Sequence, residues 1–317
     1  MDNPKTSLRR IASIDLPSCP HKPGPLHTVV ADEAANIYYS DELNHTVVSL
    51  DRTGKLRWFT GGRGSEPGQF WYPKGLALGF TSIETSVIPC LAVADSWNMR
   101  VQFFTQDGCF LTIQTSAWGG TFAETTDVRF IIVASLDHQE MVDGYWLVLD
   151  RGNHRLCILG MDGGMRAQIG RCVDPQTENR WRSATLADLM EKSGGSPPEL
   201  IPYFDALYYP ARILGHSEEA LYVWEPLSRK LKGVVQHSQF IVPFSGDNEG
   251  QCFAADGSGF LKWLQEAGRI RRYDHNGELR EEYKAEGILV PSNLSSDRFW
   301  VQVEDRLECW QLAEGTE

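Results

Sequence analysis

The sequence predicts an all-β fold, a β-propeller of about six blades. Three observations predict it. A strand–turn–strand pattern recurs along the chain, each unit carries two hairpins that would make a small antiparallel sheet, and six anchor positions are spread over the 317 residues. All-β folds of this length often form one unit, so residues 1–317 are expected to be a single domain.

The pattern is clearest in three segments. In each, an apolar strand ends at Asp, Asn follows three residues later, and a second alternating strand leads into a turn that contains Gly. The short side chains of Asp and Asn can hydrogen-bond to nearby backbone, so Asp-x-x-Asn is suited to reverse the chain. The three pairs are Asp41 with Asn44, Asp95 with Asn98, and Asp150 with Asn153.

The second segment reads ADSWNMRV from Ala94 and reaches Asp107-Gly108. It resembles the repeat of the NHL family, whose units close a strand on Ala-Asp-x-x-Asn-x-Arg-Val and end the next one at Asp-Gly. The third segment keeps the arginine as Arg155, whereas the first has Thr46 there. The resemblance implies a six-bladed β-propeller of NHL type.

The later units are degraded. Their anchor positions are Glu225, Leu264 and Glu304. A bare blade takes about 40 residues, whereas Asp150 and Glu225 are 75 residues apart (225 − 150). An insertion of about 171–208 is therefore predicted before blade four. It is partly helical, with Ser183 as the helix cap, and it forms a lid over one face.

The two ends of the chain are predicted to meet in the last blade. The final unit lacks an outer strand, and residues of about 8 to 16, within LRRIASIDL, alternate like a strand without a partner. Pairing these two segments would cover edges that otherwise invite aggregation. The N-terminal strand is therefore expected to close the last blade.

A ring of polar residues is predicted at one mouth of the central channel, which the innermost strands line. The NHL pattern resembles Pro-x-Gly at this point, and only blade two keeps the glycine. The next ring inward is predicted to be mostly apolar, with Val29, Ala77, Ile131, Leu214, Phe253 and Ser295. Aligning the first strands of the blades predicts the polar ring to be His27, Gly75, Arg129, Arg212, Gln251 and Asn293.

Two arginines above an apolar ring would suit an anionic ligand, because guanidinium binds carboxylate or phosphate through a planar fork. The alternative is that these side chains fill the channel mouth and hydrogen-bond to one another. Aromatic residues in the loops before blades two and four are expected on the same face. The predicted ligand-binding residues are His27, Lys74, Arg129, Arg212, Gln251, Asn293, Tyr72 and Tyr209.

The pattern favours no catalytic centre. A zinc site needs three or four converging ligands, and only His27 reaches the ring, while His45 and His154 lie in separate turns. Related propellers include a zinc-dependent peptide-amidating lyase, calcium-dependent lactonases and strictosidine-synthase-like proteins, but the aligned ring offers no carboxylate. No metal and no cofactor are predicted, and no catalytic residue is identified.

Composition restricts the partners. Lys and Arg total 30 against 42 Asp and Glu, a formal net charge of −12, and such a field repels a polyanion. Nucleic acid is therefore not expected as a partner. Seven scattered cysteines argue against a secreted disulfide framework. Neither a signal peptide nor an 18-residue apolar run is seen, so a cytoplasmic protein without a membrane partner is expected.

Three functions remain open, because propellers host all of them. The leading hypothesis is a cytosolic binding scaffold for a peptide, a protein or a small anionic ligand at the channel mouth. The first alternative is an enzyme, a lyase, hydrolase or cyclase, with its active site in the channel under the 171–208 insertion. The second is a structural subunit of a larger complex. The oligomeric state is not predicted.

Overall fold

The computed structural model describes residues 7–117, 120–134, 142–170, 212–216, 221–225, 230–235, 238–241, 250–256, 259–274, 276–292 and 298–313. These residues form six four-stranded antiparallel sheets and a two-stranded ribbon. The all-β propeller architecture predicted from the sequence is confirmed. The predicted insertion of 171–208 lies outside the described residues.

Sheets one to three come from the part of the chain with the clearest repeats. Sheet one holds β2 (Leu26–Ala31), β3 (Ile37–Asp41), β4 (Thr46–Leu50) and β5 (Leu56–Gly61). Sheet two holds β6 (Pro73–Ile83), β7 (Ser86–Asp95), β8 (Arg100–Thr105) and β9 (Phe110–Gln114). The ribbon is β10 (Ser116–Ala117) with β11 (Gly120–Thr121). Sheet three holds β12 (Thr125–Ala134), β13 (Val142–Asp150), β14 (Arg155–Gly160) and β15 (Met165–Gly170).

Sheets four and five are also built from consecutive strands, and sheet six combines strands from both ends of the chain. Sheet four holds β16 (Arg212–His216), β17 (Leu221–Glu225), β18 (Lys230–Val235) and β19 (Ser238–Ile241). Sheet five holds β20 (Gln251–Asp256), β21 (Gly259–Leu264), β22 (Arg269–Tyr273) and β23 (Leu279–Lys284). Sheet six holds β24 (Ile288–Val290), β25 (Arg298–Val303), β26 (Arg306–Ala313) and β1 (Ser7–Asp15).

Strand β1 is the outer strand of sheet six. It pairs antiparallel with β26, from Ser7 opposite Ala313 to Asp15 opposite Arg306. Its side chains alternate between core and solvent: Ile14 is 9% exposed, whereas Ile11 is 42% exposed. The prediction that the N-terminal strand completes the last sheet is confirmed.

The six sheets form a closed ring around a central channel. The first strand of each sheet is innermost, and β2, β6, β12, β16 and β20 neighbour one another in that order. Sheet five packs on sheet six through Phe253 and Phe299. The backbone N–H of Val29 in β2 donates to the carbonyl of Pro291, just after β24, at 2.9 Å and closes the ring. Sheet three therefore lies opposite sheet six, and sheet one opposite sheet four.

The hydrophobic core lies between neighbouring sheets. Strand side chains alternate between the two faces of a sheet, and each face of a propeller sheet meets a neighbour. Val29 accordingly packs with Trp300, and Ala77 with Val128. The predicted apolar channel ring is therefore wrong for its described members, which belong to cores between sheets: Val29, Ala77, Ile131, Leu214 and Phe253. Ser295 lies outside the described residues.

Helical structure is sparse in the described part of the chain. It consists of two single turns of 3₁₀-helix, Ser96–Asn98 and Arg151–Asn153. Among the described residues, no helix has the length and the apolar character that crossing a membrane requires.

Candidate functional site

On one face of the ring, each Asp-x-x-Asn turn is hydrogen-bonded to the loop that precedes an innermost strand. In the second repeat, Asn98 Nδ2 donates to Asp95 at 2.9 Å and to the carbonyl of Gly64 at 2.8 Å. Asp95 also accepts the backbone N–H of Trp71 at 2.8 Å. The first and third repeats make the same contacts through Asp41 and Asp150. Each turn is thereby fastened to the loop that enters the innermost strand.

Each turn closes on a left-handed residue. These residues are His45, Met99 and His154, with φ between 53° and 55°. The hydrogen bonds of Asn and the left-handed residue that follows it fix the shape of each turn. The residue directly after each anchor Asp therefore takes a similar place in all three repeats. Those residues are Glu42, Ser96 and Arg151.

These three residues line one pocket of about 460 Å³ at the mouth of the channel. We call it the mouth pocket. Its other lining residues come from the turn of the second repeat, from the start of β6 and the residue before it, and from the loop before β12. They are Tyr72, Lys74, Trp97, Met99, Ala123 and Glu124.

Lys74 is the central charge of the mouth pocket. Its side chain is only 13% exposed, and its Nζ lies 3.9 Å from Glu42 Oε1 and 3.7 Å from Glu124 Oε1. Neither distance is a hydrogen bond, and no described residue offers this ammonium a closer acceptor. Burial lowers the pKa of Lys74, while Glu42 opposes that shift. The pocket therefore holds a desolvated ammonium that lies near two carboxylates and makes no hydrogen bond to a described residue.

The other basic group of the pocket is already paired. Arg151 Nε donates to Glu124 Oε2 at 2.9 Å, and Arg151 Nη2 donates to Glu124 Oε1. Such a two-bond fork fixes both side chains. Glu42, by contrast, has only the long contact to Lys74 among the described residues.

Aromatic side chains form one wall of the pocket. The ring of Trp97 lies 5.1 Å from that of Tyr72 and 5.3 Å from that of Trp71, between centroids. His45 holds Tyr72 in place through two contacts. The backbone N–H of Tyr72 donates to His45 Nδ1 at 3.1 Å, and the two rings meet edge to face. Trp97 and Met99 remain 51% and 52% exposed. They offer an open apolar surface beside the buried charge.

Ser96 lines the same pocket with a hydroxyl that makes no hydrogen bond. The residue is fully buried, and its Oγ has no partner among the residues that the structure describes. A buried polar atom without a partner costs roughly 1–3 kcal/mol. Ser96 is part of the pocket wall, but its hydroxyl oxygen is closed off from the pocket space.

Below the pocket, two arginines cross the channel. Arg129 Nε donates to the carbonyl of Ile213 at 3.2 Å, and its Nη2 donates to the carbonyl of Ser292 at 2.9 Å. Arg212 Nη2 donates to the carbonyl of His27 at 3.3 Å. Sheet three is thus linked to sheet six, and sheet four to sheet one. These arginines brace opposite sheets, as the alternative interpretation of the ring expected.

Burial changes the ionisation of this channel group. It lowers the pKa of Arg129, and it lowers the pKa of Arg212 to about 10. It also lowers the pKa of His27 well below its ordinary value, with Arg212 and Lys74 adding to the effect. Burial raises the pKa of Asp127, against the opposing effect of both arginines. The channel therefore holds a neutral histidine among cations.

The alignment that predicted the ring was out of register in two sheets. In sheets one, three, four and five, the residue just before the anchor of the second strand pairs with one residue of the innermost strand. These partners are Thr28, Asp127, Arg212 and Gln251. His27 lies one residue earlier and Arg129 two residues later. A carboxylate therefore does occupy the ring, in contrast to the sequence analysis: Asp127 Oδ2 accepts the backbone N–H of Ile213 at 2.8 Å.

Gly75 shows how closely the innermost strands approach at this level. A Cβ atom at this glycine would lie 2.4 Å from Asp127 Oδ1 and 2.6 Å from Asp127 Cα. No side chain fits between β6 and β12 at this point. The one glycine that the ring keeps is thus explained by the contact with its neighbour.

The structure sorts the predicted ligand-binding residues into groups. His27, Arg129 and Arg212 come together in the channel. Lys74 and Tyr72 line the mouth pocket above them, and Gln251 is exposed at the start of β20. Asn293 and Tyr209 lie outside the described residues. The sequence analysis missed Glu42, Ser96, Trp97, Glu124 and Arg151 as pocket residues.

A search of the described residues for three or more His, Cys, Asp or Glu side chains that could hold a metal ion finds no such group. His45 and His154 lie in the turns of different sheets, as expected. His45 uses its Nδ1 to accept the Tyr72 N–H.

Comparison with known proteins identifies the fold and no family. No protein-family model matches the chain. No curated protein matches it significantly in sequence.

Among solved structures, the chain is similar to virginiamycin B lyase from Staphylococcus aureus, with 12% identity, 97% of this chain and 100% of that chain covered, and a TM-score of 0.54. It is similar to a streptogramin B lyase, with 12% identity, coverage of 97% and 98%, and a TM-score of 0.53. It is also similar to a gluconolactonase from Xanthomonas campestris, with 10% identity, coverage of 97% and 90%, and a TM-score of 0.54. At these identities the likeness concerns the fold alone, and the chain is a β-propeller.

Proposed function

We propose that this chain is a six-bladed propeller of NHL type that acts as a cytosolic binding module, with its ligand held in the mouth pocket. The observation that carries the proposal is the state of Lys74, a desolvated ammonium without a hydrogen-bond acceptor among the described residues, beside an exposed aromatic wall. A ligand oxygen would satisfy it. The four-stranded sheets and the Asp-x-x-Asn turns support the NHL part of this proposal.

The composition of the mouth pocket suits recognition of a peptide. Ligand sites combine apolar and aromatic walls with a few placed polar groups, and aromatic residues are frequent anchors in interfaces. Here Trp97, Met99 and Tyr72 supply the wall, and Lys74 supplies a polar group. A volume of about 460 Å³ falls within the usual range of such sites.

The charges of the pocket refine the expected ligand. Lys74 and Arg151 are balanced by Glu42 and Glu124, so these four side chains sum to zero at neutral pH. A highly charged anion would meet both carboxylates. A peptide that offers both an acceptor and a donor fits better, and the channel arginines hold the sheets together below it.

The cytosolic assignment is a proposal that rests on the cysteines. No disulfide joins the cysteines among the described residues, and five of the six are buried. Free buried thiols are typical of a reducing compartment. Fractionation of the native host cell, with the protein followed by a specific antibody, would test this assignment.

The binding function can be tested with free peptides. A synthetic library of random peptides with both ends free is passed over the immobilised protein, over K74M and over K55M, and bound peptides are identified by mass spectrometry. Lys55 is exposed in the β4–β5 turn, so K55M is a matched control. We expect peptides that are retained by the first and third proteins and retained at least tenfold less by K74M. No retention, or equal retention by K74M, would contradict the proposal.

One observation favours an enzyme as a second candidate. Ionisable groups with strongly shifted pKa values often mark active sites, and His27, Asp127 and Lys74 are such a group at the channel. A panel of chromogenic esters and lactones tests this alternative. Hydrolysis that H27Q abolishes, with unchanged thermal stability, would favour it over the binding module.

A further inference from the structure

The mouth pocket has the features of a site for the end of a polypeptide chain. We infer that its occupant is the C-terminal residue of a peptide or protein, with a free carboxylate and an apolar side chain. The inference rests on the proposed binding function and specifies its ligand. Four features of the pocket carry it.

The first feature is the ammonium available to a carboxylate. Lys74 Nζ lies 3.7 Å and 3.9 Å from two glutamates without a hydrogen bond to either. The Lys74 side chain is 13% exposed and lines the mouth pocket. An ammonium can donate to a carboxylate, and hydrogen bonds to a charged acceptor are the stronger kind.

The second feature is a hydrogen-bond acceptor, Glu42, whose distance from Lys74 matches the spacing between the backbone nitrogen and the carboxylate of a chain end. The backbone nitrogen of a C-terminal residue lies roughly 3 Å from its own carboxylate oxygens, by standard backbone geometry. Glu42 Oε1 lies 3.9 Å from Lys74 Nζ and has no hydrogen bond among the described residues. It is therefore placed to accept the N–H of the residue whose carboxylate Lys74 binds. Glu124 is not available in this way, because Arg151 already holds both of its oxygens.

The third feature is the apolar wall. Trp97 and Met99 are about half exposed beside these polar groups, and Tyr72 is held in place by His45. Burying an apolar side chain against them gains roughly 25 cal/mol for each Å² removed from water. The last residue of the bound chain is accordingly apolar, such as Leu or Phe.

The fourth feature is the positive electrostatic potential from the charged groups in the channel below the pocket. The channel group carries Arg129 and Arg212 against Asp127, which leaves an excess of one positive charge, with His27 neutral. An internal peptide segment presents no negative charge to this field from its backbone, whereas a chain end does. Capture of a C-terminal carboxylate is a known mode of peptide recognition.

The test uses two matched arrays of tetrapeptides joined to the support through their N-termini. One array ends in free acids and the other in amides, and the last position is varied through all twenty residues. For apolar last residues we expect the free acid to bind with a Kd at least tenfold lower than the amide. K74M should remove most of that difference, K55M should keep it, and circular dichroism checks that each variant is folded.

The outcomes separate this inference from the proposed function. Equal binding of acid and amide, with loss of both in W97A, would keep the binding module and overturn the chain-end assignment. Binding of N-acetyl-leucine as tight as that of the tetrapeptides would also overturn it, because the occupant would then be a small acid. Binding to neither array would overturn the inference, and the library of free peptides would still decide the proposed function.

Discussion

Arg129 Nη2 donates a hydrogen bond to the carbonyl oxygen of Ser292 at 2.9 Å across the central channel. The bond joins the third sheet to the sixth, which lie opposite each other in the ring. Arg212 makes the equivalent link from the fourth sheet to the first through the carbonyl of His27. Side chains that first suggested ligand binding therefore hold the ring together.

Replacing Arg129 with Leu is expected to destabilise the fold. The change removes two hydrogen bonds from a charged donor to backbone carbonyls, each worth about 1.5–3 kcal/mol, although relief of the buried charge offsets part of the loss. We expect a decrease of about 2–4 kcal/mol in the free energy of unfolding, measured with urea. R52L, at an exposed position, is the control. A loss no greater than that of R52L would show that the bracing contributes nothing.

The anchor aspartates should differ in their contribution to stability. Asp95 accepts hydrogen bonds from Arg100 Nε at 2.7 Å and from Gln102 Nε2 at 3.0 Å. Asp41 makes its turn contacts without an arginine, because Thr46 stands in that place. D95A removes the only carboxylate that pairs with the buried guanidinium of Arg100 in the described part of the chain. The guanidinium then keeps just its bonds to backbone carbonyls, and the change should cost about 3–5 kcal/mol. D41A should cost about 1–2 kcal/mol, as for the loss of a capping residue. Equal costs, measured by urea unfolding of both variants, would contradict this account.

Strand β1 allows a matched pair of substitutions on one element. Ile14 packs in the core beside Leu307 and Cys309, whereas Ile11 is exposed on the same strand. I14D buries an unpaired charge in an apolar cluster and should cost at least about 3 kcal/mol. I11D should change stability by less than about 0.5 kcal/mol. Thermal unfolding measures both, and similar shifts in Tm would argue against closure of the ring by this strand.

His27 should make the stability depend on pH. Burial, reinforced by Arg212, Lys74 and Arg151, lowers the pKa of His27 well below its ordinary value, so the folded protein keeps it neutral. The unfolded chain takes up a proton on this residue below about pH 6.5. Stability from His27 is therefore present above pH 6.5 and is lost as the pH falls, by up to about 1.4 kcal/mol per pH unit.

The variant H27Q should remove part of this decline between pH 6.5 and 5. His45, whose pKa burial also lowers, leaves a residual slope. H21Q changes an exposed histidine and is the control. Urea unfolding at half-unit steps of pH measures the slopes. An H27Q slope identical to that of the unmodified protein would mean that His27 is protonated in the folded state.

The turns and the closure of the ring could be predicted because both depend on local pattern. Asp41 and Asn44, or Asp150 and Asn153, specify a turn through the hydrogen bonds of their own side chains. The alternation around Ile14 marks a strand that buries one face. In both cases the physical cause lies within a few residues of sequence.

The register of the innermost strands could not be predicted, because it depends on irregularities that leave no mark in the pattern. A register shift falls between Leu26 and Thr28 in β2, and another between Thr125 and Asp127 in β12. A displacement of one residue, as at His27, turns a side chain to the other face. In β12 the displacement is two residues, so Asp127 takes the position at which Arg129 was expected.

The mouth pocket was missed, although the repeat contained its signal. The Asp-x-x-Asn pattern was interpreted only as a reversal of the chain. The first residue after Asp is Glu42, Ser96 or Arg151 in successive repeats, and all three line the pocket. A position that changes in chemistry between a constant Asp and a constant Asn was the available indication. Glu124, just before β12, had no comparable signal.

The pairing of β1 with β26 has a consequence during synthesis. Arg10 lies opposite Trp310, so one partner leaves the ribosome 300 residues after the other. At roughly 5–20 residues per second, this delay is about 15–60 seconds. The nascent chain passes that interval with the outer position of its last sheet unfilled and both β1 edges unpaired. Ring closure is therefore the final step of assembly, and the early strand is a natural target for chaperones until it occurs.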